Sequence, residues 1–154
     1  MGYPEPTLYA VPFFLLTLWL EPRLLRTAAE RGRPVLGYER RDARASLGMG
    51  LWSVFFVAGI NLATFAVAGW LHERRLFDLG TGALGWVVAM VGWDLSYYLH
   101  HRAEHEIRIL WACHVNHHSS RYYNLSTALR QPWTPFAAVL FYPGWALLGV
   151  EPWM

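Results

Sequence analysis

Apolar residues along this chain come in long runs separated by short polar connections. Leu47 to Leu71 is 25 residues without an ionisable side chain, long enough to cross a bilayer as a helix. Leu79 to Leu99 is a run of 21 with one charge, Asp94. Trp133 to Val150 is 18 uncharged residues interrupted by Pro135 and Pro143, and Pro143 is expected to kink that helix or split it into a re-entrant pair. Leu8 to Leu20 has only 13 uncharged residues. It reaches the length of a span only if Glu21 and Arg23 snorkel at its end; otherwise it is an interfacial helix. The pattern predicts an all-α, polytopic membrane protein with three to four transmembrane helices, at about 8–25, 47–71, 79–99 and 133–150. A soluble chain of buried core helices is the alternative.

Composition moves the balance further toward a membrane. The 154 residues, enough for one domain, are 55% hydrophobic and 16% charged, against about 25% charged in soluble domains. Nine Trp, eight Tyr and eight Phe suit membrane interfaces. A formal net charge of +2 gives no reason to expect a nucleic-acid partner. Every basic residue is Arg and none is Lys, which, with abundant Ala, Gly and Leu, points to a GC-rich bacterial source. The single cysteine, Cys113, excludes an intrachain disulfide and reads as a small buried hydrophobe. The opening Met-Gly-Tyr-Pro-Glu-Pro lacks the basic start of a signal peptide.

Arginine placement predicts an orientation. Residues 21–46 carry Arg23, Arg26, Arg31, Arg33, Arg40, Arg41 and Arg44, whereas the connection after the longest run carries Arg74 and Arg75. The positive-inside rule puts 21–46 in the cytoplasm. The 47–71 helix then runs outward, the 79–99 helix returns, and the segment from His100 emerges on the cytoplasmic side.

Six of the seven histidines lie between 100 and 118. His101 and His105, at i and i+4, share one face of a helix; His114, His117 and His118, at i, i+3 and i+4, do the same. Five imidazoles without a thiolate suit iron, zinc or copper, and two such clusters at one interface look like halves of a dinuclear site. Asp94, Tyr98, His101 and His105 fall on one helical stripe. Asp94, an acid within a predicted span, is therefore a candidate to orient a ligand through its second ring nitrogen, with the lining of a wet cavity as its plainer role. Tyr98 could hydrogen-bond near the site or belong to an interfacial belt. His100 points about 100° away from His101 and is kept as a possible extra ligand. His72 reads as an interface histidine on the opposite side, and Arg102, Glu104 and Glu106 as solvated or interfacial partners.

The segment resembles the fatty acid hydroxylase superfamily, the integral membrane di-iron enzymes that include sterol desaturases. The resemblance rests on His-Arg-Ala-Glu-His (101–105), Leu-Trp-Ala (110–112), His-Val-Asn-His-His-Ser-Ser (114–120) and Tyr-Asn-Leu-Ser-Thr-Ala-Leu-Arg-Gln (123–131). Within that superfamily the stretch looks most like bacterial members of the ether-lipid monooxygenase branch. The family's first two histidine boxes fall on His101/His105 and His114/His117/His118, which the resemblance makes metal ligands. Asn124 and Arg130 also match family positions; Arg130 is expected to pair with a ligand-orienting acid or a lipid head group, or to be an ordinary interfacial arginine. Asn124-Leu-Ser126 reads formally as a glycosylation sequon, which the predicted cytoplasmic placement sets aside. The resemblance implies two iron ions, O2 as co-substrate, an external electron donor on the cytoplasmic side, and a membrane lipid substrate hydroxylated or desaturated in a bacterial inner membrane. The family's third box has no counterpart after His118, so residues 1–154 read as the N-terminal part of such a domain, a fragment or truncated product.

Three other readings stay open on the residues alone. A membrane cytochrome would use histidines as axial haem ligands, but five clustered imidazoles exceed what haem iron needs. A zinc hydrolase commonly carries its catalytic Glu inside the motif, as in HExxH, which does not occur here. The third is a non-catalytic membrane remnant.

Overall fold

The computed structural model describes residues 6–154, with side chains from Tyr9 onward, and no strand occurs among them. Six α-helices follow in order: α1 (Pro6–Glu30), α2 (Arg40–His72), α3 (Ala83–Glu106), α4 (Arg108–His114), α5 (Ala138–Phe141) and α6 (Gly144–Leu147), with a 3-10 helix at Leu125–Leu129 between α4 and α5. The all-helical class is as expected. Among the described residues, one helix, α2, is long and apolar enough to cross a membrane.

The chain divides into two compact units. The first comprises residues up to Leu51 together with Ser119–Gln131; the second comprises Trp52–His118 and Pro132–Met154. In the first unit, α1 contains Pro12 and Pro22, neither of which can donate a helical hydrogen bond. It ends in a Schellman turn. Gly32, at φ +75°, donates to Ala29, and Arg33 donates to Ala28 at 3.0 Å, closing carbonyls that the helix end leaves open. The unit is tied together by polar groups. Glu21 accepts from the Tyr38 hydroxyl and from the Leu125 backbone N–H at 2.8 Å. Asn124 caps the 3-10 helix by accepting from Ser126 N and Oγ, and donates to the Gly37 carbonyl at 3.2 Å. Arg130 is buried and donates to Asp42 Oδ1 at 2.7 Å, to the Asp42 carbonyl, to Ser46 Oγ and to Ser119 Oγ at 2.9 Å. Of the roles open to Arg130, the structure therefore shows pairing with an acid, and that acid is Asp42 at the start of α2.

The second unit is organised by one face of α3. Its buried positions are Gly85, Ala89, Gly92, Ser96, His100 and Glu104, a stripe of small and polar residues at spacings of three and four. Large apolar side chains such as Leu84, Val87, Met90, Val91 and Trp93 are exposed on the same helix. Small residues inside and large apolar ones outside is the arrangement helices adopt when lipid is the solvent. The stripe receives the segment after Pro132. Trp145 lies so close over Gly92 that a Cβ there would stand 2.6 Å from its ring. The Trp145 indole donates to Ser96 Oγ at 2.7 Å, and Ser96 in turn donates to the Phe141 carbonyl at 2.9 Å.

The expected span at 133–150 is not one helix. It forms α5 and α6, four residues each, separated by Tyr142 and Pro143. Pro143 cannot donate the N–H that would continue α5, and it occupies the N-cap position of α6. The expected 79–99 span begins its helix at Ala83, after the turn at Gly80, and runs on through the first histidine pair to Glu106.

Candidate metal centre

The two histidine boxes meet at a corner made by one residue. Ile107 has extended backbone angles (φ −100°, ψ 118°) between α3 and α4. Its N–H donates to the Ala103 carbonyl, ending α3, and its carbonyl accepts from Trp111 N, starting α4, both at 2.8 Å. This turn carries α4 back toward the last turn of α3.

Four imidazoles converge there. One ring nitrogen from each of His101, His105, His114 and His118 lies within 4.8 Å of all the others. Within each box the pair faces Nε2 to Nε2 at 3.0 Å, His101 with His105 and His114 with His118. The second box is only partly helical: α4 ends at His114, and the chain reaches His118 through hydrogen-bonded turns, His117 N to the His114 carbonyl and His118 N to the Val115 carbonyl. His117 is not one of the four converging residues, although its ring lies against His114 and His118 at 5.5 and 5.1 Å. Trp111 walls the cluster, with its ring 5.4 Å from His105 and 5.8 Å from His118.

Burial, and then the charge of neighbouring imidazoles, holds His114 well below the usual histidine range, at about 4. The same two causes, in the same order, lower His101 and His118. These rings are therefore neutral near pH 7, the form in which imidazole binds metal.

The remaining sequence-predicted residues sit as follows. His100 is buried and turned away from the four, against Phe141 and Tyr142, with Nε2 3.7 Å from Glu104 Oε1. Asp94 is exposed on α3, about 10 Å of helix rise before His101, and the structure does not bring it to the cluster. Tyr98 is exposed, and its hydroxyl accepts from Arg102 Nη1 at 3.1 Å. Its neighbour Tyr97 is the tyrosine that reaches the cluster, with its hydroxyl 3.3 Å from His101 Nδ1. Asn124 and Arg130 belong to the first unit, in the contacts given above. His72 lies at the end of α2 with Nε2 3.8 Å from Glu151. Cys113 is half-buried and free.

One reading is corrected. Arg102 and Glu106 do form an exposed ion pair at 2.8 Å, but Glu104 is not a solvated partner. It is 6% exposed, and its Oε2 lies 3.1 Å from His114 Nδ1. Burial raises its carboxyl above the usual range, which the nearby His117 partly offsets. The spacing of Glu104 to His100, i and i+4, was a visible signal; its approach to His114 depends on the corner at Ile107.

Imidazoles gathered at the junction of two helices, in a chain with one helix long and apolar enough to span a bilayer, make this an all-helical protein with a cluster that could hold a metal ion. The family follows from sequence: residues 86–154, the segment that holds both histidine boxes, match the fatty acid hydroxylase family. It is similar to alkylglycerol monooxygenase of Homo sapiens, 38% identical over 132 residues, which is 83% of this chain and 28% of that protein. The Caenorhabditis elegans alkylglycerol monooxygenase is 47% identical over 103 residues, 63% of this chain and 20% of its own. That of Danio rerio is 56% identical over 64 residues, 41% of this chain and 14% of its own. This chain thus spans about a quarter or less of the curated relatives it matches. No solved structure matches it.

Proposed function

We propose that this chain carries the first part of the metal site of a membrane-bound lipid monooxygenase, and that its lipid is an alkylglycerol or a related ether lipid. The observation that carries the proposal is the convergence of His101, His105, His114 and His118. Four imidazole nitrogen donors without thiolate suit a first-row transition ion, and they are twice what the axial positions of haem iron take. The donor set fits iron, with these four as ligands. A second iron of a dinuclear centre would draw on His117 and on donors from outside the four.

Bound iron supplies the activation of O2. In the overall change a C–H bond of the lipid becomes C–OH, the second oxygen atom leaves as water, and an external donor provides two electrons with two protons. The residues of this chain hold the ligands and shape the surroundings. Trp111 covers one side of the cluster, and Tyr97 holds the outer nitrogen of His101 at 3.3 Å. The exposed apolar surface of α2 and α3 fits a lipid environment from which the substrate enters. The arginine asymmetry favours a cluster on the cytoplasmic face of a bacterial inner membrane, where the electron donor would dock.

The test is oxygen-dependent turnover of an alkylglycerol by membranes expressing the complete gene product. His101→Ala or His118→Ala is expected to abolish turnover with protein levels retained. Turnover that persists in either variant, or that does not require O2, refutes the proposal.

A further inference from the structure

Among the described residues Glu104 is the buried acid, 6% exposed, and a buried carboxylate is costly without partners. Two elements bring imidazole nitrogens up to it, and both of those nitrogens, His100 Nε2 and His114 Nδ1, are buried without a hydrogen bond. On α3, Glu104 stands one turn after His100, whose Nε2 lies 3.7 Å from Oε1. The corner at Ile107 brings His114 over the other oxygen, Nδ1 to Oε2 at 3.1 Å. The opposite edge of the His114 ring, Nε2, faces His118 Nε2 at 3.0 Å inside the cluster. One imidazole is thus held between an acid on its outer nitrogen and the converging nitrogens on its inner one.

The chemistry of imidazole makes this arrangement directional. A neutral ring carries one proton, and an acceptor at Nδ1 draws it there, leaving the Nε2 lone pair bare. We propose that Glu104 is a positioning residue: it fixes His114 as the Nδ1–H tautomer with Nε2 presented to the metal, while His100 stands 3.7 Å from the other carboxylate oxygen and is not itself a ligand. The proposal rests on the metal-site reading above and adds to it the group that orients one ligand.

Co2+ is a suitable probe because its visible spectrum reports coordination. The purified chain in lipid nanodiscs is expected to bind Co2+ with a nitrogen-ligand spectrum. Glu104→Met keeps the volume and removes the acceptor, and is expected to weaken Co2+ binding by about 10–100-fold. Glu104→Gln keeps an acceptor oxygen, and is expected to lose less and to retain the spectrum. A second measurement needs no metal. The 15N shifts of His114 in the metal-free, unsubstituted chain should report the Nδ1–H tautomer, and Glu104→Met should shift it toward a mixture. An Nε2–H tautomer in the unsubstituted chain, or a Met variant equal to it in affinity and tautomer, overturns the role of Glu104. Absence of Co2+ binding by an unsubstituted chain that shows the Nδ1–H tautomer overturns the metal-site reading and leaves Glu104 orienting a ring without a ligand role.

Discussion

The protein holds two polar clusters, and they are built on opposite principles. In the first unit, Arg130 meets Asp42 at 2.7 Å with Ser46 and Ser119 on its other nitrogens, and Ser120 donates to the second Asp42 oxygen. Cation faces anion and donors face acceptors. In the second unit, four groups of one kind face each other, nitrogen to nitrogen at 3.0 Å in each pair. Without a cation each pair can share only one proton, and charging His101, His114 or His118 is opposed by burial and then by neighbouring imidazoles. Burial alone does not separate structural from functional polar groups. The complementarity of what they face does: the Arg130 cluster is complete in itself, whereas the proposed metal site would be completed only by a bound cation.

Five substitutions probe that contrast. Arg130→Met leaves the half-buried Asp42 without its cation, and is expected to cost about 3–5 kcal/mol in unfolding free energy measured by denaturant titration in micelles. A cost below about 1 kcal/mol would mean the cluster does not hold the unit. His118→Ala should do the reverse. Its side chain is exposed, so metal-free stability should change by no more than about 0.5 kcal/mol, while Co2+ affinity falls by more than the roughly 10–100-fold expected of an outer partner. His117→Ala, outside the converging four, should weaken Co2+ binding less than His118→Ala in the same titration; an equal or larger loss would add it to the ligand set. Gly92→Ala places a methyl against the Trp145 ring and should cost about 1–3 kcal/mol, read by denaturant titration with Co2+ affinity as the control. Asp94→Asn is expected to leave Co2+ affinity unchanged, and any weakening would restore it as a partner of the site.

The chemistry of the site was more legible in the sequence than its surroundings. The HxxxH and HxxHH spacings identify His101, His105, His114 and His118 because helical periodicity is local. Asp94 looked attractive on the same periodicity, but a shared stripe says nothing of height, and seven residues carry it about 10 Å along the axis. Glu104 was passed over because charged residues at a helix end are ordinarily solvated; its burial follows from a turn at Ile107 that no turn-forming residue announces. Tyr97 was passed over in favour of Tyr98, since the stripe was counted from Asp94 and not back from His101. The break in the long run at 133–150 was expected at Pro143 from the N–H that proline lacks, and it falls there, between α5 and α6. The arginine-rich stretch 21–46 was read only for its charge, and about two thirds of it is the end of α1 and the start of α2.

The turn at Ile107 also governs timing. The four converging rings come from eighteen consecutive residues, 101–118, so bringing them together closes only a short loop at small entropic cost. Contacts so local form early and fast. The chain can therefore assemble this pocket as soon as the segment leaves the ribosome, before distant parts of the polypeptide exist, and a captured ion would then act as a template on which later segments find their places.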